Sequence, residues 1–417
     1  MFHRALLRRG GFATLLALIF SLTAGILTVP ASAAPPLTLE AQSAVLLDYA
    51  TGQVLFEKNP DQVIPPASLT KLMTLHIAYK KLADGTMKRE DLVQIRPEAW
   101  AAKFADSSLM FLEPGQKVTV GEILKGVAIP SGNDASVALA QHIAGSVDAF
   151  VKMMNDEAAA MGYKQMRFVD PHGLSPQNLV TAREFADFAR RYVQLHPEAL
   201  EELHRQKTFA YPQYENLRDE QKAALKPEQH TPITQENRNG LLWTFEGVDG
   251  LKTGYVDEAG FNIALTAKRG EMRLIGVILG VQAPSIPEGT VKRETDGAAL
   301  LSWGFNNFVT EKPALPEIKP VRVWKGATNE VSLKPAQEVL LTLEKGAQKS
   351  LTATVHQEES VIAPVQAGQK LGEIIFAADG KEIARFPLVA AENVAQGGFF
   401  KRLWDSLRLL IAGWLNR

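Results

Sequence analysis

Pro65-Pro66-Ala67-Ser68-Leu69-Thr70-Lys71-Leu72-Met73-Thr74 is the stretch on which the reading of this chain turns. Two prolines hold the chain extended on its way in. From Leu69 the pattern becomes helical, with Leu72, Met73 and His76 at helical spacing. Ser68 therefore falls near a helix N-terminus, where free backbone N–H groups and the helix dipole favour negative charge. An alkoxide or oxyanion forming there is stabilised. Lys71 stands three residues on, one turn along the same face. Its ammonium cannot act as a base at the usual pKa of ~10.4. Burial or a second cation lowers that value, and the free amine can then take the Ser68 proton. Alone, Ser-x-x-Lys also fits a helix cap with an exposed lysine.

Working outward, residues 43–47 and 53–57 read as two short strands joined by a turn at Tyr49-Ala50-Thr51-Gly52. Helical patterns run through 120–125, 135–144, 147–161 and 181–193. Residues 259–267 and 272–279 read as strands around Arg269-Gly270. Strands at both ends and helices between them predict an α+β domain whose sheet joins early and late segments.

Two further elements carry chemistry. Ser131-Gly132-Asn133 lies between an apolar run and a helix starting near Asp134. A loop serine can relay a proton, and an amide side chain can bind a peptide group at both ends. Lys252-Thr253-Gly254 precedes the late strand pair. A strand edge can take a peptide by β-addition, Lys252 and Thr253 can hold a carboxylate, and Gly254 permits close backbone approach. Lys252 is also expected to be the second cation that depresses Lys71.

The order Ser-x-x-Lys, Ser-x-Asn, Lys-Thr-Gly resembles the penicillin-binding protein and serine β-lactamase superfamily. The strings around Ser68, Ser131 and Lys252, with Asn237-Arg238-Asn239-Gly240-Leu241-Leu242-Trp243, resemble the low-molecular-mass D-alanyl-D-alanine carboxypeptidases. The resemblance is to the group that includes penicillin-binding proteins 5 and 6. It implies a β-lactamase/transpeptidase-like domain, an antiparallel sheet with helices, followed by a small all-β domain and a C-terminal amphipathic helix. It implies Ser68 as acylated nucleophile, Lys71 as its base and Ser131 as the proton donor to the leaving D-alanine. Asn133 would bind the substrate's peptide chain. Lys252 and Thr253 would bind the terminal carboxylate, with Arg238 and Arg293 close by. The Ser68 and Tyr255 N–H groups would form the oxyanion hole, with Gly254 between strand and site. His172, in Asp170-Pro171-His172-Gly173-Leu174, matches a family histidine near the site. The substrates implied are peptidoglycan pentapeptide and, by mimicry, β-lactams, with no metal and no cofactor. Two features depart from the family. Tyr255 stands where His, Ser or Thr is frequent, and residues 281–293 form a longer stretch than usual, with Pro284, Pro287 and Gly289 inside it. The rival readings are D,D-endopeptidase or β-lactamase on the same site, or a non-catalytic wall-binding protein on the same fold.

The remaining sequence sets the location. Arg4, Arg8 and Arg9, an apolar run over 12–29 and Ala31-Ser32-Ala33 read as an export signal cleaved before Ala34, against a membrane span as the alternative. Residues 1–33 are thus a leader and 38–311 the peptidase domain. After the Pro-rich 312–319, alternating strands over 314–391 read as an all-β domain, with a hairpin at Asp379-Gly380. Residues 398–417 place Phe400, Leu403, Trp404, Leu407, Leu410, Ile411 and Trp414 on one helical face, and Lys401, Arg402, Asp405 and Arg408 mostly on the other. This reads as an in-plane membrane anchor, the alternative being a helix docked on its own protein. The expected location is the periplasmic face of the inner membrane. The net charge of −1 gives no global field for nucleic acid. The absence of cysteine excludes disulfides and thiolate chemistry.

Overall fold

The computed structural model describes residues 34–415; the expected leader, residues 1–33, lies outside the described residues. The chain opens with a hairpin of β1 (Ser43–Asp48) and β2 (Val54–Lys58). A 3-10 turn at Ala67–Thr70 leads into α1 (Lys71–Ala83). A small hairpin, β3 (Leu92–Gln94) and β4 (Lys117–Thr119), encloses a long loop. The helices α2 (Val120–Ala128), α3 (Asn133–Ala144), α4 (Val147–Ala160) and α5 (Ala182–Leu195) follow. Side-chain caps fix three of their starts, because Thr119, Ser146 and Thr181 each accept a backbone N–H three residues on. After a π-turn at Leu200–His204 comes a second arm, β5 (Thr208–Tyr211), α6 (Asp219–Ala224) and β6 (Ile233–Glu236). Then α7 (Leu241–Thr244) precedes the long strands β7 (Val248–Val256), β8 (Gly260–Arg269) and β9 (Met272–Val281), and α8 (Ile286–Asn307) closes the region.

The main sheet is antiparallel, in the order β2-β1-β9-β8-β7. Strand alternation splits its side chains between two cores. Val45, Leu47, Ile275, Val277 and Leu279 face the layer of α1 to α5. Ala44, Leu46, Leu274 and Ile278 face Leu300, Leu301 and Phe305 of α8. Helices on both faces make a three-layer domain, and β7 is left as the edge strand beside the Ser68 turn.

The stretch that departs from the family resolves into α8. Ser285 caps the helix by accepting the Glu288 N–H, and Pro287 falls in its first turn, where a missing N–H costs nothing. Gly289 lies flat on Phe261: a Cβ there would sit 1.9 Å from the ring.

Beyond α8, β10 (Phe308–Glu311) is followed by residues 312–320 without regular structure, then by β11 (Val321–Trp324), β12 (Glu330–Val331), β13 (Leu333–Pro335), β14 (Leu341–Glu344), β15 (Thr352–Gln357), β16 (Ser360–Ile362), β17 (Lys370–Ala378) and β18 (Lys381–Ala390). The β17–β18 hairpin turns at Asp379-Gly380 with φ of 49° and 74°, the pair of positive values that matches strand twist. β10 pairs with β14, so the first strand after α8 is built into the β region. The two regions also join through hydroxyls: Thr310 Oγ1 donates to Asp48 Oδ2 at 2.7 Å, and Thr51 and Thr342 share a hydrogen bond at 2.9 Å.

The last described element is α9 (Phe399–Leu415). Its contact with the β region runs through Asp405, which is 1% exposed and accepts the Lys325 N–H at 2.7 Å and the Lys401 ammonium at 2.6 Å. Phe400, Leu403, Trp404, Leu407, Leu410, Ile411 and Trp414 all stay exposed. At 100° per residue they lie on the side opposite Asp405. The helix is docked by its polar face and presents its apolar face outward. Among the described residues, no helix is long and apolar enough to cross a membrane.

Candidate active site

Ser68 lies in the 3-10 turn, and Lys71 is the first residue of α1. The residue before the serine, Ala67, takes a positive φ of 50°. Lys71 is fully buried. Its Nζ donates to Ser68 Oγ at 2.9 Å, to Asn133 Oδ1 at 2.7 Å and to the His172 carbonyl at 2.6 Å. Burial is the main force that lowers its pKa to about 7, against the opposing charges of Asp170 and Asp134. The sequence had led us to expect Lys252 as the depressing cation. Burial is the main cause at Lys71, and Lys252 is itself held well below the usual lysine range, first by burial and then by the charges of Lys71, Arg238 and Arg293.

Ser131 takes a positive φ of 68° in the turn before α3. Its Oγ is buried and has no hydrogen-bond partner among the described residues. Asn133 opens α3, and while its Oδ1 serves Lys71, its Nδ2 donates to Ser107 Oγ at 2.9 Å. That amide nitrogen keeps a second proton for another acceptor. Asp134 straps the β3–β4 loop to α3: its carboxylate accepts the Met110 and Leu112 N–H groups at 2.8 and 2.9 Å. Ser107 and the strapping role of Asp134 carried no sequence signal beyond an acid in a helix's first turn.

The loop carrying His172 is built around Asp170, which accepts the His172, Gly173 and Ser175 N–H groups. Gly173 presses on the Ser68 turn so closely that a Cβ would fall 1.9 Å from the Ala67 carbonyl oxygen. The His172 ring packs edge-on against Phe104 and is held down to about pKa 4, chiefly by burial, so it is neutral near pH 7. What His172 supplies to Lys71 is its carbonyl.

β7 forms the facing wall. A Cβ on Gly254 would meet the Pro66 oxygen at 2.7 Å and the Ser68 nitrogen at 3.0 Å, so only glycine lets this strand lie against the serine turn. Lys252 is buried, with its Nζ donating to the Thr253 carbonyl at 3.0 Å. Arg293, two turns into α8, is 5% exposed. It donates to the Arg238 carbonyl at 3.3 Å, and its Nε has no partner among the described residues. Asn237 and Asn239 fix the segment around Arg238, donating to the His204 and Gly250 carbonyls. The Tyr255 ring stacks on Phe261 with centroids 4.3 Å apart, and its hydroxyl donates to Asp257. The fold thus joins Ser68, Lys71, Asn133 and His172 by direct hydrogen bonds. Lys252, Thr253, Gly254, Arg238 and Arg293 stand on the facing wall, and Ser131 lies in the turn leading to Asn133.

A family model described as D-alanyl-D-alanine carboxypeptidase matches residues 29–283, and one described as penicillin-binding protein 5, C-terminal domain, matches residues 314–396. The D-alanyl-D-alanine carboxypeptidase DacC of Escherichia coli (strain K12) is 37% identical over 387 residues, 91% of this chain and 90% of the relative. DacA of Haemophilus influenzae, a D-alanyl-D-alanine carboxypeptidase, is 37% identical over 385 residues, 91% of each. A crystal structure of penicillin-binding protein 5 from Haemophilus influenzae superposes with a TM-score of 0.77 at 36% identity, covering 87% of this chain and 99% of that one.

Proposed function

The chain belongs to the D-alanyl-D-alanine carboxypeptidase family of serine peptidases, and from that premise we propose how its residues divide the reaction. The enzyme removes the terminal D-alanine of a D-alanyl-D-alanine peptide through an acyl-enzyme on Ser68. Lys71 in its neutral form is the base. It has two N–H groups for Asn133 Oδ1 and the His172 carbonyl, which leaves its lone pair toward Ser68 Oγ at 2.9 Å. Ser68 attacks the penultimate carbonyl, and its proton passes to Lys71. The oxyanion is held by the Ser68 and Tyr255 N–H groups. Ser131 returns a proton to the departing amine, and D-alanine leaves. Water then attacks the ester and frees Ser68. Lys252, Thr253 and the cations of Arg238 and Arg293 bind the terminal carboxylate. Asn133 Nδ2 holds the peptide chain.

The observation that carries this reading is the three-way hydrogen bonding of a buried Lys71 whose pKa lies at about 7. It prepares a base where the nucleophile needs one. A class A β-lactamase would need a carboxylate free to hold a deacylating water. Asp170, in the corresponding loop, spends its oxygens on three backbone N–H groups.

The substrate in the cell is the peptidoglycan pentapeptide, and penicillin acylates Ser68. The enzyme works on the periplasmic face of the inner membrane, exported by the leader at 1–33 and tethered by α9. The outward apolar face of that helix supports the tether. Purified Ser68→Ala protein is expected to release no D-alanine from a soluble pentapeptide that the wild type cleaves. Release at the wild-type rate would overturn the assignment.

A further inference from the structure

β7 is the edge of the main sheet, and its outer side is not uniformly open. In an antiparallel ladder, alternate residues direct their N–H and C=O groups toward the partner strand or away from it. The Leu251 carbonyl accepts from His204 Nδ1 at 3.0 Å, so Leu251 faces away from β8. The register from Leu251↔Leu265 to Tyr255↔Phe261 runs without a shift. Thr253 and Tyr255 therefore face outward too. The Thr253 carbonyl is taken by Lys252 Nζ. Of the carbonyls at these three outward positions, that of Tyr255 is left for a peptide.

His204 is held in place from several directions. A carbonyl can only accept, so Nδ1 carries the proton and Nε2 accepts from Tyr192 Oη at 2.8 Å. Both rings are buried. Asn237 Nδ2 donates to the His204 carbonyl, and a Cβ on Gly250 would lie 3.1 Å from His204 Cβ, so the turn sits directly on the strand.

We propose that His204 is a positioning residue that closes the outer edge of β7 at Leu251 and thereby limits the leaving group to a single residue. The inference rests on the reading above, in which the scissile carbonyl meets the Tyr255 N–H and the terminal carboxylate meets Lys252 and Thr253. A peptide so placed runs antiparallel to β7. Any residue beyond the leaving D-alanine advances about 3.3 Å toward Leu251. It moves toward a strand edge on which Lys252 already holds the Thr253 carbonyl and His204 holds the Leu251 carbonyl.

The test compares two synthetic peptides, one ending in D-Ala-D-Ala and one carrying a further glycine. Hydrolysis of the second at the same bond releases D-Ala-Gly. The expected wild-type kcat/KM for the extended peptide is at most about a hundredth of that for the parent. In His204→Ala the two values approach each other by tenfold or more. In His204→Gln, whose amide can still donate to Leu251, the wild-type ratio returns. Penicillin labelling of each variant reports that the site is assembled. An unchanged ratio in a labelled His204→Ala protein would overturn the proposal, as would a wild type that cleaves both peptides equally. If His204→Ala does not fold, Tyr192→Phe removes only the hydroxyl that holds the ring. There the ratio is expected to narrow at least threefold, and no change would be contrary. Failure of the underlying reading looks different: the wild type would release no D-alanine and take no penicillin.

Discussion

At Lys71, burial decides the chemistry. In the proposed reaction the amine must be neutral to accept the Ser68 proton, and its pKa of about 7 sets when it is. Acylation by a substrate that does not itself titrate between pH 5 and 9 is therefore expected to rise as pH increases through about 7 and then level off. A profile flat from pH 5 to 9 would contradict a lysine base. Lys71→Arg keeps the charge but cannot lose it, and general-base losses of about 10²–10⁴ are expected in single-turnover acylation. The motif residues at this scale were legible in the sequence, because Ser68, Lys71, Ser131, Asn133 and Lys252 sit in fixed strings. Their neighbours were not. Asp134 straps residues more than twenty positions away, and His204 meets Leu251 across 47 positions. Each looks like an ordinary loop or helix residue until the fold brings its partner. The role given to Lys252 was misread for the same reason: spacing shows that a second lysine exists, whereas only packing shows that Lys71 is buried deeply enough without it.

At the scale of elements, strands with regular alternation and capped helices were read close to their bounds, as with β1, β8, β9 and α5. α8 was missed because Pro284, Pro287 and Gly289 break its pattern at the start, where a helix tolerates them. α9 was read from its amphipathic pattern, but its seat was not. Asp405 is the centre of its polar face and the clamp to the Lys325 backbone. Asp405→Ala is expected to leave binding to anionic vesicles intact, since the apolar residues lie on the opposite side. A spin-label pair on α9 and β18 is expected to show a broader distance distribution. A distribution as narrow as wild type would show that the clamp does not set the helix.

At the scale of the whole molecule, the three-layer domain and the β region were legible as an α+β block followed by alternating strands, while their junction was not. β10 pairs with β14, and Thr310, Asp48, Thr51 and Thr342 join the regions. No local pattern announces such a contact. With α9 clamped at the far end, the β region connects the catalytic domain to the outward apolar face. Truncation before Gly398 is expected to move the protein from the membrane pellet to the soluble fraction with D-alanine release intact. Continued pelleting would remove α9 as the tether.

Every step of the proposed reaction requires that Ser68 Oγ is the atom that becomes acylated. Mass spectrometry of the penicillin-treated protein tests it directly. The expected result is one penicilloyl adduct on the peptide containing Ser68, absent from Ser68→Ala. An adduct on another residue, or one that persists in Ser68→Ala at full level, would contradict the account.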